Sequence, residues 1–147
     1  MLSQDFKEFV ELLNKHNVEY LIVGGYAVGI HGYPRYTGDL DIWINITVEN
    51  ARKVVKVLND FGFSSFGLTE VDFTKPNNII QMGYPPFRID VLTKIDGVDF
   101  GDCYKNKMVV EYDGVTLDVI GMNDLKRNKR ASGRSKDIDD LENLDPF

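Results

Sequence analysis

Residues 23–44 read VGGYAVGIHGYPRYTGDLDIWI. The segment opens with two glycines at the end of an apolar run. It closes with Asp39 and Asp41, one residue apart inside a second apolar run. Strand side chains alternate faces, so Leu40, Ile42, Ile44 and Ile46 share one face and Asp39 and Asp41 the other, with Trp43 beyond them. Burying a charge without a partner is costly. The pair is therefore either solvated at a sheet edge or matched by something positive.

Two carboxylates on one strand face can grip a hard cation. Mg²⁺ takes oxygen ligands in an octahedron and commonly uses one or two carboxylates together with substrate phosphates. A third acid follows in PFRIDVL, where Phe87, Ile89 and Val91 point one way and Arg88, Asp90 and Leu92 the other. If that strand lies beside the first, Asp39, Asp41 and Asp90 converge. Such a trio can hold two metals and leaves Asp90 placed to take the proton of an attacking hydroxyl. The alternative for Asp90 is an ion pair with Arg88.

Gly24-Gly25 stands between a strand and a short helix. Backbone N–H groups there can cradle a phosphate, and glycine permits close approach. No GxxxxGK follows, which excludes a P-loop, and GGYAVG lacks the GxGxxG spacing of a dinucleotide site.

Outward from this segment the chain reads as a compact α+β domain over residues 1–147. Its 147 residues suffice for one core, and 43% of them are hydrophobic. No apolar run approaches the ~20 residues of a membrane span. The charged, amphipathic start MLSQDFKEFVELLNKHN does not resemble a secretory signal. The single cysteine, Cys103, rules out an internal disulfide framework and points to a reducing cytoplasm. A net charge of −6 disfavours a general nucleic-acid coat. Within it, KRNKRASGRSK (residues 126–136) forms a basic island followed directly by acids, which suggests a local anion site.

Ser3 caps a first helix with Phe6, Phe9, Val10 and Leu13 on one side. A strand over 19–23 and a helix over 26–31 follow. After a loop over 33–38 comes a strand over 40–46, then a helix capped by Thr47 with Ala51, Val54, Val55, Leu58 and Phe61 inward. Residues 78–82 and 87–92 read as strands. Asp113-Gly114 joins two more, 108–112 and 115–120, in a hairpin. Asn123 caps a helix that Gly133 ends, and Ser135 caps the last one. The expected architecture is a mixed sheet of about five strands flanked by helices, with the helices of about 123–145 packed on its core.

The ordered set Gly24-Gly25, thirteen residues, Asp39-Leu40-Asp41 and then Asp90 resembles the nucleotidyltransferase fold of the DNA polymerase beta superfamily. It is similar in particular to small stand-alone nucleotidyltransferases, the group related to type IV toxin–antitoxin toxins and to lincosamide and aminoglycoside nucleotidyltransferases. Their R-x-T-x-D-L-D run is present as Arg35, Thr37, Asp39, Leu40 and Asp41. Their late K-x-A-x-G-R-x-K-D-x-x-D-L run is present as Lys129, Ala131, Gly133, Arg134, Lys136, Asp137, Asp140 and Leu141. The likeness spans roughly residues 20–145.

The resemblance implies transfer of a nucleoside monophosphate from a nucleoside triphosphate, ATP among the candidates, to a hydroxyl acceptor with release of pyrophosphate. It implies Mg²⁺, or Mn²⁺ in its place, on Asp39, Asp41 and Asp90. Phosphate contacts are expected from Gly24, Gly25, Arg35, Thr37, Lys129 and Lys136. The acceptor is a small molecule, an RNA end or a protein side chain. With only two late helices to shape its site, it lies in an open cleft or across a homodimer interface. The rival reading is a catalytically weak module acting through a partner, as in a toxin–antitoxin pair. The plain alternatives are a solvated strand edge for Asp39 and Asp41, a tight turn for the glycines, and a charged helix face pairing with the following acids for the basic island. Asp137 and Asp140 are expected to cap and pair. His16 and His31 read as structural, and Tyr33, Tyr36 and Trp43 as base-stacking or packing groups.

Overall fold

The computed structural model describes residues 2–33, 37–84 and 87–144. Its helices are α1 (Gln4–Lys15), α2 (Gly24–Ile30), α3 (Val48–Phe61), α4 (Phe100–Lys105), α5 (Met122–Ser132) and α6 (Ser135–Leu144). Its strands are β1 (Tyr20–Val23), β2 (Asp39–Ile44), β3 (Ile79–Met82), β4 (Arg88–Leu92), β5 (Met108–Tyr112) and β6 (Val115–Val119). They form one mixed six-stranded sheet in the order β3-β4-β2-β1-β6-β5. The expected count of about five is thus one short. All six nonetheless read individually as strands in the sequence, β3 among them over 78–82; it is an edge strand paired with β4, with Ile79 largely exposed.

β1 runs antiparallel to β2 and parallel to β6, and β2 runs parallel to β4. The register sets Ile22 beside Ile42, Leu40 beside Ile89 and Ile42 beside Val91. These side chains form one buried face. Phe6 of α1 meets Phe87 edge-on at 6.2 Å, which puts α1 on that face, and α1 in turn packs on α3. The caps foreseen for these helices form: Ser3 Oγ accepts from Phe6 N–H, and Thr47 Oγ1 from Asn50 N–H. On α3 the buried positions are Ala51, Val54, Val57 and Leu58. Val55 and Phe61 are only partly buried.

The second face carries Asp39, Asp41 and Trp43 of β2 beside Arg88, Asp90 and Leu92 of β4. Trp43 is buried and meets Phe100 of α4 edge-on at 5.0 Å, so it packs the core. Tyr33 also packs against the core, whereas Tyr36 lies outside the described residues.

Three helix starts differ from expectation. α6 begins at Ser135 itself, and the Arg134 carbonyl takes the first helical hydrogen bond, so Ser135 is inside the first turn and not its cap. α2 begins at Gly24 itself, directly at the end of β1. α5 begins at Met122 with Gly121 as its cap, so Asn123 lies inside the first turn. A Cβ at Gly121 would press on the Asn106 carbonyl at 2.7 Å, so close packing of backbone fixes that start. Gly133 ends α5 as expected, and Tyr112 pairs with Val115 across the Asp113-Gly114 turn. No helix among the described residues is long and apolar enough to cross a membrane.

Candidate functional site

Parallel pairing of β2 with β4 sets Asp39 beside Arg88 and Asp41 beside Asp90. The three acids therefore share one patch of the second face. Arg88 ties two of them together. Its Nε donates to Asp90 Oδ1 at 2.8 Å, and its Nη2 donates to Asp90 Oδ2 at 3.1 Å and to Asp39 Oδ2 at 2.9 Å. Asp90 is almost fully buried, while the Asp39 side chain is 37% exposed. Both readings of Asp90 thus coincide: it joins the trio and it pairs with Arg88.

Asp41 is left without such a partner. No hydrogen bond from a described residue reaches its carboxylate. Burial, then the neighbouring Asp90 and Asp39 charges, push it up from 3.8 to about 7, against the weaker pull of Lys136 and Lys129. It also abuts the glycine turn. Val23 pairs with Asp41 across β1 and β2, and a Cβ added at Gly24 would collide with Asp41 Oδ2. Gly24 has φ +67°, a backbone conformation that other residues adopt at a cost. Glycine at 24 is required twice, by conformation and by contact. Gly25 is buried within α2.

A cavity of about 400 Å³ opens beside Asp41. Gly24, Asp41 and Leu92 form one wall and Asn128, Lys129 and Arg134 the opposite one, with Lys94 at its rim. Gly97 allows the segment after β4 to lie against α5, since a Cβ there would strike that of Ala131. The basic wall is built on a buried network. Lys129 Nζ lies 3.0 Å from Asp137 Oδ1 and 3.1 Å from Asp140 Oδ2, and all three side chains are excluded from water. Ser132 Oγ and Arg134 Nε also donate to Asp137 Oδ2, each at 2.8 Å. The pairing expected of Asp137 and Asp140 thus goes to Lys129. Lys136 is exposed, and Thr37 Oγ1 donates to the Asp39 carbonyl at 3.3 Å. Arg35 lies outside the described residues.

Lys94 and Asn128 escaped the sequence reading. Lys94 continues the alternation of Arg88, Asp90 and Leu92 past the strand end, a signal that was available. Asn128 had none. Remote from the site, His16 bonds Asp60 and His31 bonds the Ile120 carbonyl, each at 2.7 Å. Burial pushes the Cys103 thiol up to about 12, which leaves it unreactive.

Among the described residues no three His, Cys, Asp or Glu side chains close into a ready cation cage. Arg88 lies where such a cage would form. Asp41 and the free oxygen of Asp39 nevertheless suit one hard cation whose remaining ligands are phosphate and water.

Helix α2 leaves the end of β1 beside an Asp-Leu-Asp strand, and a third acid lies on the next parallel strand. A crystal structure of a candidate nucleotidyltransferase from Thermotoga maritima superposes with a TM-score of 0.64 at 15% identity, covering 94% of this chain and 88% of that one. The chain has the nucleotidyltransferase fold. Lincosamide antibiotic adenylyltransferase LnuA, solved with lincomycin bound, matches with a TM-score of 0.58 at 16% identity over 98% of this chain and 96% of that one. An antigenic nucleotidyltransferase-like protein from Paracoccidioides brasiliensis matches with a TM-score of 0.55 at 18% identity over 99% and 78%. No protein-family model and no curated protein matches the sequence.

Proposed function

We propose that this nucleotidyltransferase-fold chain transfers a nucleoside monophosphate from a nucleoside triphosphate to a hydroxyl acceptor. The observation that carries the reading is the carboxylate trio Asp39, Asp41 and Asp90 on one sheet face, closed on one side by Gly24. Arg88 offsets Asp39 and Asp90, and the carboxylate of Asp41 beside them calls for a further positive charge. LnuA, an adenylyltransferase on the same fold, supports the reaction class by analogy.

Asp39 and Asp41 would hold Mg²⁺, or Mn²⁺ in its place. When bound, that ion supplies positive charge against the triphosphate and polarises its phosphoryl oxygens. The start of α2 at Gly24 approaches the phosphates through backbone N–H groups, Arg134 offers charge from the cavity lining, and Lys136 is close enough for its charge to act on Asp41. The acceptor oxygen forms a bond to the α-phosphorus. The bond from that phosphorus to the α–β bridging oxygen breaks, and pyrophosphate departs with the electron pair. Each Asp90 oxygen accepts from Arg88 and keeps a second lone pair, enough to take the acceptor's proton. Lys129, committed to Asp137 and Asp140, shapes the basic wall and contacts phosphate only through its remaining donor.

The test is label transfer. Wild type and the Asp39→Ala, Asp41→Ala double variant are incubated in cell extract with Mg²⁺ and each α-labelled triphosphate in turn. Products are sorted into small molecules, RNA and protein. Label that appears with wild type alone establishes transfer and identifies the acceptor class. Nucleotide binding without transfer in any fraction would favour a module that works through a partner protein.

A further inference from the structure

Arg88 is the feature of the site that the carboxylate trio does not require. It sits two residues before Asp90 on the same strand and directly beside Asp39 in the β2–β4 register. Its guanidinium uses one oxygen of Asp39 and both oxygens of Asp90, at 2.8–3.1 Å. Arginine is charged at any working pH, and its planar fork matches a carboxylate edge. The fork is held by the strand, because Arg88, Asp39 and Asp90 all project from the same rigid sheet face.

A cation bridging Asp90 to either of the other acids would lie against the fixed positive charge of Arg88, which already bonds both Asp90 oxygens. The oxygens left open among the described residues are Asp39 Oδ1 and the carboxylate of Asp41. They suffice for one cation position and not for two. A second cation would serve to neutralise Asp90 and to offset charge on the reacting phosphate. Arg88 supplies positive charge at that place without being bound or released.

We propose that Arg88 stands in for a second divalent cation, so that the site takes one cation, on Asp39 and Asp41. Asp90 stays outside the coordination shell. The inference rests on the nucleotidyl-transfer reading and narrows it from two metals to one. Arg88 is a positioning and charge-supplying residue, and its removal changes the number of cations bound.

Equilibrium dialysis against Mn²⁺ and α,β-methylene ATP, repeated with the guanosine analogue, counts metal and nucleotide held per chain. One Mn²⁺ and one nucleotide per wild-type chain is the expected result, rising to two Mn²⁺ in Arg88→Gln. Two Mn²⁺ on the wild type overturns the proposal while leaving the transferase reading intact. That count does not depend on the variant folding. One Mn²⁺ in a folded Arg88→Gln also overturns it, since Arg88 would then be a strand-to-strand tie only. Neither Mn²⁺ nor nucleotide bound to the wild type would overturn the transferase reading itself, and the proposal with it.

Discussion

Asp41 and Asp90 stand side by side in register on parallel strands, and Arg88 bonds Asp90, and Asp39 beyond it, but not Asp41. The uncompensated member is the one whose carboxyl is driven up to about 7. Burial first, and then repulsion from Asp90 and Asp39, act together on this single residue.

In the metal-free protein the burial and repulsion at Asp41 appear as a pH-dependent loss of stability. The unfolded chain ionises Asp41 near 3.8 and the folded chain only near about 7. Between these values the folded state holds the extra proton, so stability falls as pH rises through the window and is level above it. Asp41→Asn removes the effect. Urea unfolding should find the variant equal to wild type near pH 4 and more stable by roughly 2–4 kcal/mol at pH 8. A gap that does not widen with pH would contradict this.

Gly24→Ala meets Asp41 Oδ2 and holds alanine at φ +67°. The expected cost is about 2–3 kcal/mol, from the left-handed conformation and the displaced carboxylate together. Thermal unfolding measures it. Gly29→Ala is the control, since a Cβ there meets nothing within 4 Å.

The two lysines expected to touch phosphate should separate cleanly. Lys129→Met removes the buried cation shared by Asp137 and Asp140 and should cost about 3–5 kcal/mol. Exposed Lys136→Ala should stay within about 0.5 kcal/mol of wild type and weaken Mg²⁺-dependent nucleotide binding by roughly fivefold. Calorimetry of unfolding and of binding reads both. Equal loss of stability in the two variants would refute the division.

Asp137 has the opposite sign to Asp41. Burial by itself would raise it, but hydrogen bonds from Arg134, Ser132 and Lys129 hold it down to about 2. Its contribution is present above 3.8 and lost as pH falls toward 2. The destabilisation caused by Asp137→Asn should therefore be constant at neutral pH and shrink below pH 4. Acid titration of unfolding midpoints for the two proteins checks it.

The site was legible wherever strand parity governs. Alternation put Asp39 and Asp41 opposite the isoleucines, and the same rule put Asp90 opposite Ile89 and Val91. That Asp41 and Asp90 are neighbours is a matter of register between distant strands, which no local pattern states. Lys129 reads as a phosphate contact or as part of a charged face pairing with the following acids; the second holds, but its burial depends on packing across the Gly133 break, which no local pattern states. The start of α5 was misread because asparagine is a strong capping residue. Contact between Gly121 and the Asn106 backbone outweighs that preference. The sequence places Gly24-Gly25 between a strand and a helix over 26–31, whereas the left-handed backbone of Gly24 turns the chain straight into α2.

The sheet order has a consequence for synthesis on the ribosome. β1 lies between β2 and β6, and Ile22 finds its second ladder partner only in Val119. A pairing of such long span forms late and slowly. A nascent chain emerging N-terminus first carries its three aspartates and Arg88 before α5 and α6 exist to wall the cavity. The acids are thus exposed to solvent until α5 and α6 have left the exit tunnel, and the compartment closes only then.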